Sequence, residues 1–390
     1  MNALAWFFWL GLFLVFYTYL GYGLVLYALV RIKEHFSPRK PSVLPVEKPT
    51  VALVIAAYNE AAVVHEKMKN CNALVYPEDL FRIYWVTDGS NDSTNELLAA
   101  YPNATVLFQP ERQGKTAALN RAMPYIDADI TVFTDANTEL NPEAIEEIVH
   151  RFSEASVGCV AGEKRVRGAI DDAVANEGLY WKYESLLKRL DDRLYSAVGA
   201  AGELFAIRTP LFEKMPHDTL LDDFVLSLRI AQKGYKIAYC DTAYALEDPS
   251  ANMQEEAKRK VRIAAGGLQS IVRLSALLNP FRYGVLSFQY ISHRVLRWSL
   301  TPFVLFALFP VNVWLVLAGA EPVWLYLLAM CFQLLFYGMA WLGYERSKKD
   351  RKGFYVPYYF LFMNVNVLKG FRYLQQRKGT GVWEKATRKA

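Results

Sequence analysis

Residues 3–30 contain no charged side chain, and no other stretch restricts the fold of this 390-residue chain so sharply. As a helix rising about 1.5 Å per residue, the segment exceeds the roughly 30 Å hydrocarbon core of a bilayer. It must tilt or run on into the headgroups. A cleaved leader would start with basic residues and carry a shorter apolar core, and Met1-Asn2-Ala3 opens neither way. A retained anchor over 3–30 is therefore expected.

Lys and Arg set the orientation. None precedes the anchor, whereas Arg31, Lys33, Arg39, Lys40 and Lys48 follow it. The positive-inside rule places the amino terminus outside and the centre of the chain in the cytoplasm, beneath the cell (inner) membrane. Residues 299–319 and 323–344 each have transmembrane length and share a turn without Lys or Arg. The basic stretch 345–352 then returns to the cytoplasm, in agreement. Residues 354–369 are short for a span and include Pro357, Asn364 and Asn366. They read as a re-entrant or interfacial helix, or a fourth crossing, ahead of a basic tail over 370–390. Residues 31–49 are a Pro-rich linker.

Between the ends lies a different kind of sequence, a domain over 50–250. Apolar runs at 51–57, 81–86, 104–108 and 130–134 read as strands, the first buried on both faces. Helical patterns at 61–74, 91–100, 113–125 and 142–152 separate them, the last with Pro142 in its first position. This alternation predicts an α/β fold with a doubly wound, mostly parallel sheet. The second half is less regular: a helix over 172–190, a short strand at 204–207, and a helix opened by Asp222-Asp223. Residues 251–298 are expected to be interfacial. From 281 onward Val285, Phe288, Ile291, Val295 and Trp298 form an apolar face, with Gln289, His293 and Arg297 on another. The basic run 258–262 suits anionic lipid, and equally a guanidinium for a diphosphate.

Polar clusters fall at three strand exits: Tyr58-Asn59-Glu60, Asp88-Gly89-Ser90 and Asp135-Ala136-Asn137. In a parallel sheet these exits share one edge, where open α/β sheets bind ligands. Tyr58 can stack on a pyrimidine nucleoside, and Asp88 can accept from base or ribose. Asp135 and Asn137, two residues apart, can share a divalent cation that holds a diphosphate. Taken singly, each cluster is also ordinary turn chemistry. Lys115 opens a helix behind Gly114 without the full Walker spacing. The acidic pair Asp222-Asp223 suits a helix first turn in any protein. Four scattered cysteines and five unclustered histidines argue against a zinc or disulfide framework and fit a reducing compartment. The net charge of +5, mostly near the membrane ends, gives no sign of a nucleic-acid partner.

In order and spacing these residues resemble a membrane-integrated family 2 glycosyltransferase, the group of cellulose, chitin, hyaluronan and poly-N-acetylglucosamine synthases. The resemblance implies a GT-A-like nucleotide-sugar transferase domain. It assigns Tyr58, Asn59, Glu60, Asp88, Lys115 and Arg262 to the nucleotide, and Asp135 with Asn137 to Mg2+ or Mn2+. Gly202, Glu203 and Asp222 fall to the acceptor, and Asp223 to the general base. Two departures stand out. Asn137 replaces a carboxylate, so the metal is expected to bind mainly through Asp135 and the diphosphate. In the family's Gln-x-x-Arg-Trp only Arg262 survives, at 259–263; Arg297-Trp298 lies too far along to serve as that motif. The resemblance implies inverting transfer from a UDP-sugar to a growing β-linked polysaccharide, with an accessory subunit or homo-oligomer completing a channel. Single-sugar transfer to a membrane lipid is the alternative, and an inactive scaffold of an export complex a third.

Overall fold

The computed structural model describes residues 2–37, 47–167, 172–347 and 354–376. The four apolar runs become β1 (Val51–Ala57), β2 (Phe81–Asp88), β3 (Ala104–Gln109) and β4 (Ile130–Asp135). They pair in parallel in the order β3-β2-β1-β4. The sheet then continues through β7 (Leu204–Arg208), β6 (Val157–Val166), β8 (Lys236–Glu247) and β5 (Thr138–Leu140), giving eight strands in a single sheet. β7 runs antiparallel to both β4 and β6, while β6 and β8 are parallel. The fold is the expected α/β architecture with a mixed, mostly parallel sheet. Apolar layers cover both faces, one including Phe133 and Phe205, whose rings stack across β4 and β7 at 4.7 Å.

Several boundaries differ from expectation. Pro142 lies outside the next helix, Ala144–Arg151, whose first acidic turn follows Glu143. The 91–100 pattern contracts to a helix at Thr94–Leu98, because Asp92 spends its carboxylate on Thr94. Strands β6 and β8 have no counterpart in the sequence reading. The anchor helix is longer than 3–30, running Asn2–Phe36, and Leu300–Leu317 and Val323–Arg346 are the other helices long and apolar enough to cross a membrane among the described residues. A further helix, Tyr355–Gln376, continues past 369 into the expected tail. It packs along Met253–Arg273, where Gly370 lies so close to Ala264 that a Cβ there would approach to 2.6 Å. Residues 38–46 of the linker, and the tail beyond 376, lie outside the described residues.

The segment before the second span is also corrected. Its polar face does not look outward: Gln289 and His293 are fully buried, held by Asp191 and Glu184 of the Asp172–Leu194 helix. The periodicity marks a face correctly, but that face meets carboxylates of the domain instead of water or headgroups. Arg259 and Lys260 likewise do not face lipid. They are buried and paired with Glu203, Glu247 and Glu256, leaving Lys258 exposed beside Glu255.

Candidate active site

Because β1, β2 and β4 are parallel neighbours, their exits lie along one edge. At the first two, Asn59 accepts a left-handed backbone (φ 52°), and its amide donates to Asn91. Its backbone N–H donates to Ser90 Oγ at 3.1 Å. Tyr58 is covered on one face by the Arg112 guanidinium, 3.6 Å from the ring centroid. The Glu60 backbone N–H donates to Thr94. Asp88 is almost wholly buried; its Oδ2 accepts from the backbone N–H groups of Gln113 and Gly114 at 2.9 and 2.6 Å. Asp88 therefore closes the loop that launches the Lys115–Ala122 helix, leaving Oδ1 near Arg121, 3.6 Å away.

Lys115 reaches from that helix to β4, its ammonium 2.7 Å from Asp135 Oδ1. Burial would lower its pKa, but the carboxylates of Asp135, Asp222 and Asp223 raise it well above the ordinary lysine value. Beneath the turn, Lys67 is 2% exposed and donates to the Thr138 carbonyl at 2.7 Å. Burial pushes its pKa down to about 8. This brace under Asp135 escaped the sequence reading, since a lysine in an amphipathic helix ordinarily points to water.

A cavity of about 260 Å³ gathers Lys115, Asp135, Gly202, Glu203, Asp222, Asp223 and Arg262. Asp222 and Asp223 start the Asp222–Gln232 helix, where the macrodipole favours negative charge. Burial, and then the neighbouring Asp222, push the Asp223 carboxyl up to about 7 against Lys115 and the Phe224 N–H. Gly202 leaves the space between acid and cation open: a Cβ there would lie 3.1 Å from Lys115 Nζ and 3.4 Å from Asp223 Oδ2. Burial and Arg259 lower the Arg262 pKa, opposed by Asp135, Asp222 and Asp223. Burial would raise Glu203, but Lys164 and Arg259 hold it well below the carboxylate range. Its side chain is thus engaged by those cations. Tyr58, Asn59, Glu60, Asp88 and Asn137 do not line this cavity; they stand further along the edge.

The cavity is also walled by Glu184, Lys188, Arg294, Trp298 and Met363, none of them assigned to the site from sequence. Trp298 meets Phe224 edge-on, centroids 5.0 Å apart, and presses on Gly267, where a Cβ would sit 2.3 Å from the indole. An aromatic ring does reach the site, from Arg297-Trp298. The separation from Arg262 that spoke against it is closed by the short helices between 274 and 298, so that both residues line one cavity.

For a divalent cation, Asp135 offers one carboxylate and Asn137 one amide oxygen. Among the described residues no group of three or more His, Cys, Asp and Glu stands ready for a metal. This donor set suits a hard cation only when diphosphate oxygens and water complete the shell, a common arrangement for Mg2+.

Residues 52–215 match the Glycosyl transferase family 2 pattern. Poly-beta-1,6-N-acetyl-D-glucosamine synthase of Staphylococcus aureus (strain COL) is 25% identical over 278 residues, 67% of this chain and 66% of that protein, just under two thirds of its length. Beta-monoglucosyldiacylglycerol synthase of Nostoc sp. is 30% identical over 198 residues, 47% of this chain and 41% of that protein. In fold, the chain is similar to a mannosyltransferase of Pyrobaculum calidifontis solved with GDP-Man and Mn2+: TM-score 0.69, 20% identity, covering 95% of this chain and 99% of that one. The matched residues hold every strand exit of the site, so the stretch that builds it is the one similar to the glycosyl transferase family 2 domain.

Proposed function

We propose that the chain transfers a sugar from a UDP-sugar, with inversion, to an acceptor hydroxyl presented at the cytoplasmic face of the cell membrane. The observation that carries this reading is Asp223, a carboxylate pushed up to about 7 that opens onto the cavity beside Lys115 and Arg262. A base poised near neutral pH is well matched to taking a proton at working pH. The acceptor O–H gives its proton to Asp223 as its oxygen bonds to the anomeric carbon. The bond from that carbon to the diphosphate oxygen breaks, and UDP leaves with the electron pair. Lys115 and Arg262 stabilise the charge developing on the diphosphate. A divalent cation held by Asp135 and Asn137 would add to that neutralisation. Tyr58, Asn59, Glu60 and Asp88 are the nucleoside contacts in this reading, and Gly202, Glu203 and Asp222 line the acceptor's approach.

For the acceptor, the Staphylococcus aureus relatives support a growing β-linked polysaccharide. An accessory subunit or homo-oligomer would then complete the export path. A second reading, single-sugar transfer to a membrane lipid, has its own support. Trp298 adjoins the Leu300–Leu317 helix, and Met363 sits on a helix that packs against the last span. Both wall the cavity, giving an acceptor access from the membrane. Between the membrane helices lies a cavity of about 420 Å³ lined chiefly by apolar groups such as Phe8, Leu12, Leu308 and Phe332, poor company for a sugar chain.

The test uses purified full-length protein in lipid with a panel of UDP-sugars and GDP-mannose, following nucleotide release and product size together. A water-soluble product that lengthens with time supports the polysaccharide; a chloroform-soluble product supports the lipid. No nucleotide release from any donor, with acceptor and metal supplied, overturns both and favours an inactive scaffold.

A further inference from the structure

The anchor helix joins the cavity wall through a chain of buried polar groups. Two π-helical turns face one another, Tyr17–Gly21 in the anchor and Ile291–Val295 just before Trp298. Such turns sacrifice regular hydrogen bonding and concentrate at functional sites. The Tyr17 hydroxyl lies 2.8 Å from Ser292 Oγ, and the Tyr22 and His293 ring centroids are 5.7 Å apart. Tyr22 donates to Asp191 Oδ1 at 2.5 Å, and Gln289 donates to the same oxygen at 3.1 Å. Asp191 Oδ2 is 2.5 Å from His293 Nδ1. Across the ring, His293 Nε2 is 3.1 Å from Glu184 Oε1, which Arg294 also holds at 2.6 Å. Arg294 lines the cavity and lies over the Trp298 ring, 5.7 Å from its centroid.

Tyr22, Asp191 and His293 are completely buried and do not line the cavity, so contact with substrate does not explain them. A buried ionic network contributes little net stability, yet when every member is paired it fixes one arrangement of its parts. What this one fixes is a guanidinium and an indole that line the same cavity as the reacting carboxylate. We propose that Tyr22, Asp191 and His293 are positioning residues that hold Arg294 and Trp298 as the acceptor-side wall. The first membrane helix is then a working part of the acceptor site as well as a tether.

This rests on the transferase reading, and its experiment separates the two. Full-length protein in phosphatidylethanolamine–phosphatidylglycerol nanodiscs is assayed with diacylglycerol and with β-1,6-linked N-acetylglucosamine oligomers as acceptor probes. Wild type is compared with Tyr22→Phe, His293→Gln, Arg294→Ala and Arg294→Lys. The first two should raise the acceptor KM about tenfold or more, because small displacements of positioning groups are costly, while UDP affinity stays within about twofold. Arg294→Lys should recover part of what Arg294→Ala loses. An acceptor KM equal to wild type in Tyr22→Phe and His293→Gln, or equal loss of donor hydrolysis and transfer, overturns the proposal. Should His293→Gln fail to fold, Tyr22→Phe, which removes a single hydroxyl, decides alone. A wild type that releases no nucleotide with any donor overturns the transferase reading and this inference with it; an active series with unmoved acceptor KM overturns only the inference.

Discussion

Two groups of carboxylates line one cavity, and their charges are balanced in opposite senses. Asp222 and Asp223 sit side by side, and burial and then Asp222 push the Asp223 carboxyl up to about 7 against Lys115. Glu184 is buried and meets Arg294, Arg297 and His293; burial would raise it, and those groups hold it well below the carboxylate range. An under-compensated acid can exchange a proton near neutral pH, whereas an over-compensated one stays ionised and holds its neighbours in place. Burial alone therefore does not separate a reacting group from a structural one; the local charge count does.

The contrast can be broken most forcefully at Asp223. Asp223→Asn should lower turnover about 10²- to 10⁴-fold, the usual contribution of a positioned base, with UDP binding by calorimetry near wild type. Wild-type-like turnover would remove Asp223 from the mechanism. At Glu184, the Glu184→Gln change leaves the mostly covered guanidinium groups of Arg294 and Arg297 short of charge. It should cost about 3–5 kcal/mol of stability, read as a lower melting temperature in detergent. A melting temperature equal to wild type would mean that the network is not paired as described.

A finer test uses pH. Asp223 works as a base only when ionised, so kcat/KM should rise with pH and level off above about 7. Asp222→Asn removes the adjacent negative charge and should move that rising limb to lower pH; a limb that stays put would mean another group is titrating. The smallest change is expected at Asn137. Asn137→Asp should modestly tighten Mn2+ binding to nucleotide-free protein by adding a carboxylate. Tight binding of Mn2+ to the nucleotide-free wild type would instead point to further ligands.

The half of the sheet that was legible in the sequence is the half whose strands need no partner to explain them. β1 and β4 are unbroken apolar runs ending at Tyr58 and Asp135, and that pattern suffices. β6 carries Glu163, Lys164 and Arg165, and β8 ends at Glu247, so neither reads as a buried strand. Lys164 becomes tolerable only beside Glu203 and Glu247, contacts between residues far apart in the chain. Arg259, Lys260 and His293 were misjudged for the same reason. Their spacing reveals a polar face, while what that face meets depends on Glu184 and Asp191 for His293 and on Glu203, Glu247 and Glu256 for Arg259 and Lys260. Asp223, Asp135 and Lys115 could be singled out because they stand at strand and helix ends, and the fold brings all three to one cavity. Trp298 was not, since only the tertiary fold brings it to Phe224.

The anchor helix also measures height. Tyr22 lies about 30 Å along the helix from Asn2 at 1.5 Å per residue, close to one hydrocarbon thickness. With Asn2 at the far boundary of the bilayer, the hydroxyl that ties the anchor to Asp191 falls at the near boundary, and the remaining turns to Phe36 stand clear of it. On the proposed reading, with this helix spanning the bilayer, the cavity is thereby set level with the headgroups. An acceptor lying in the leaflet need not be lifted into water to reach it.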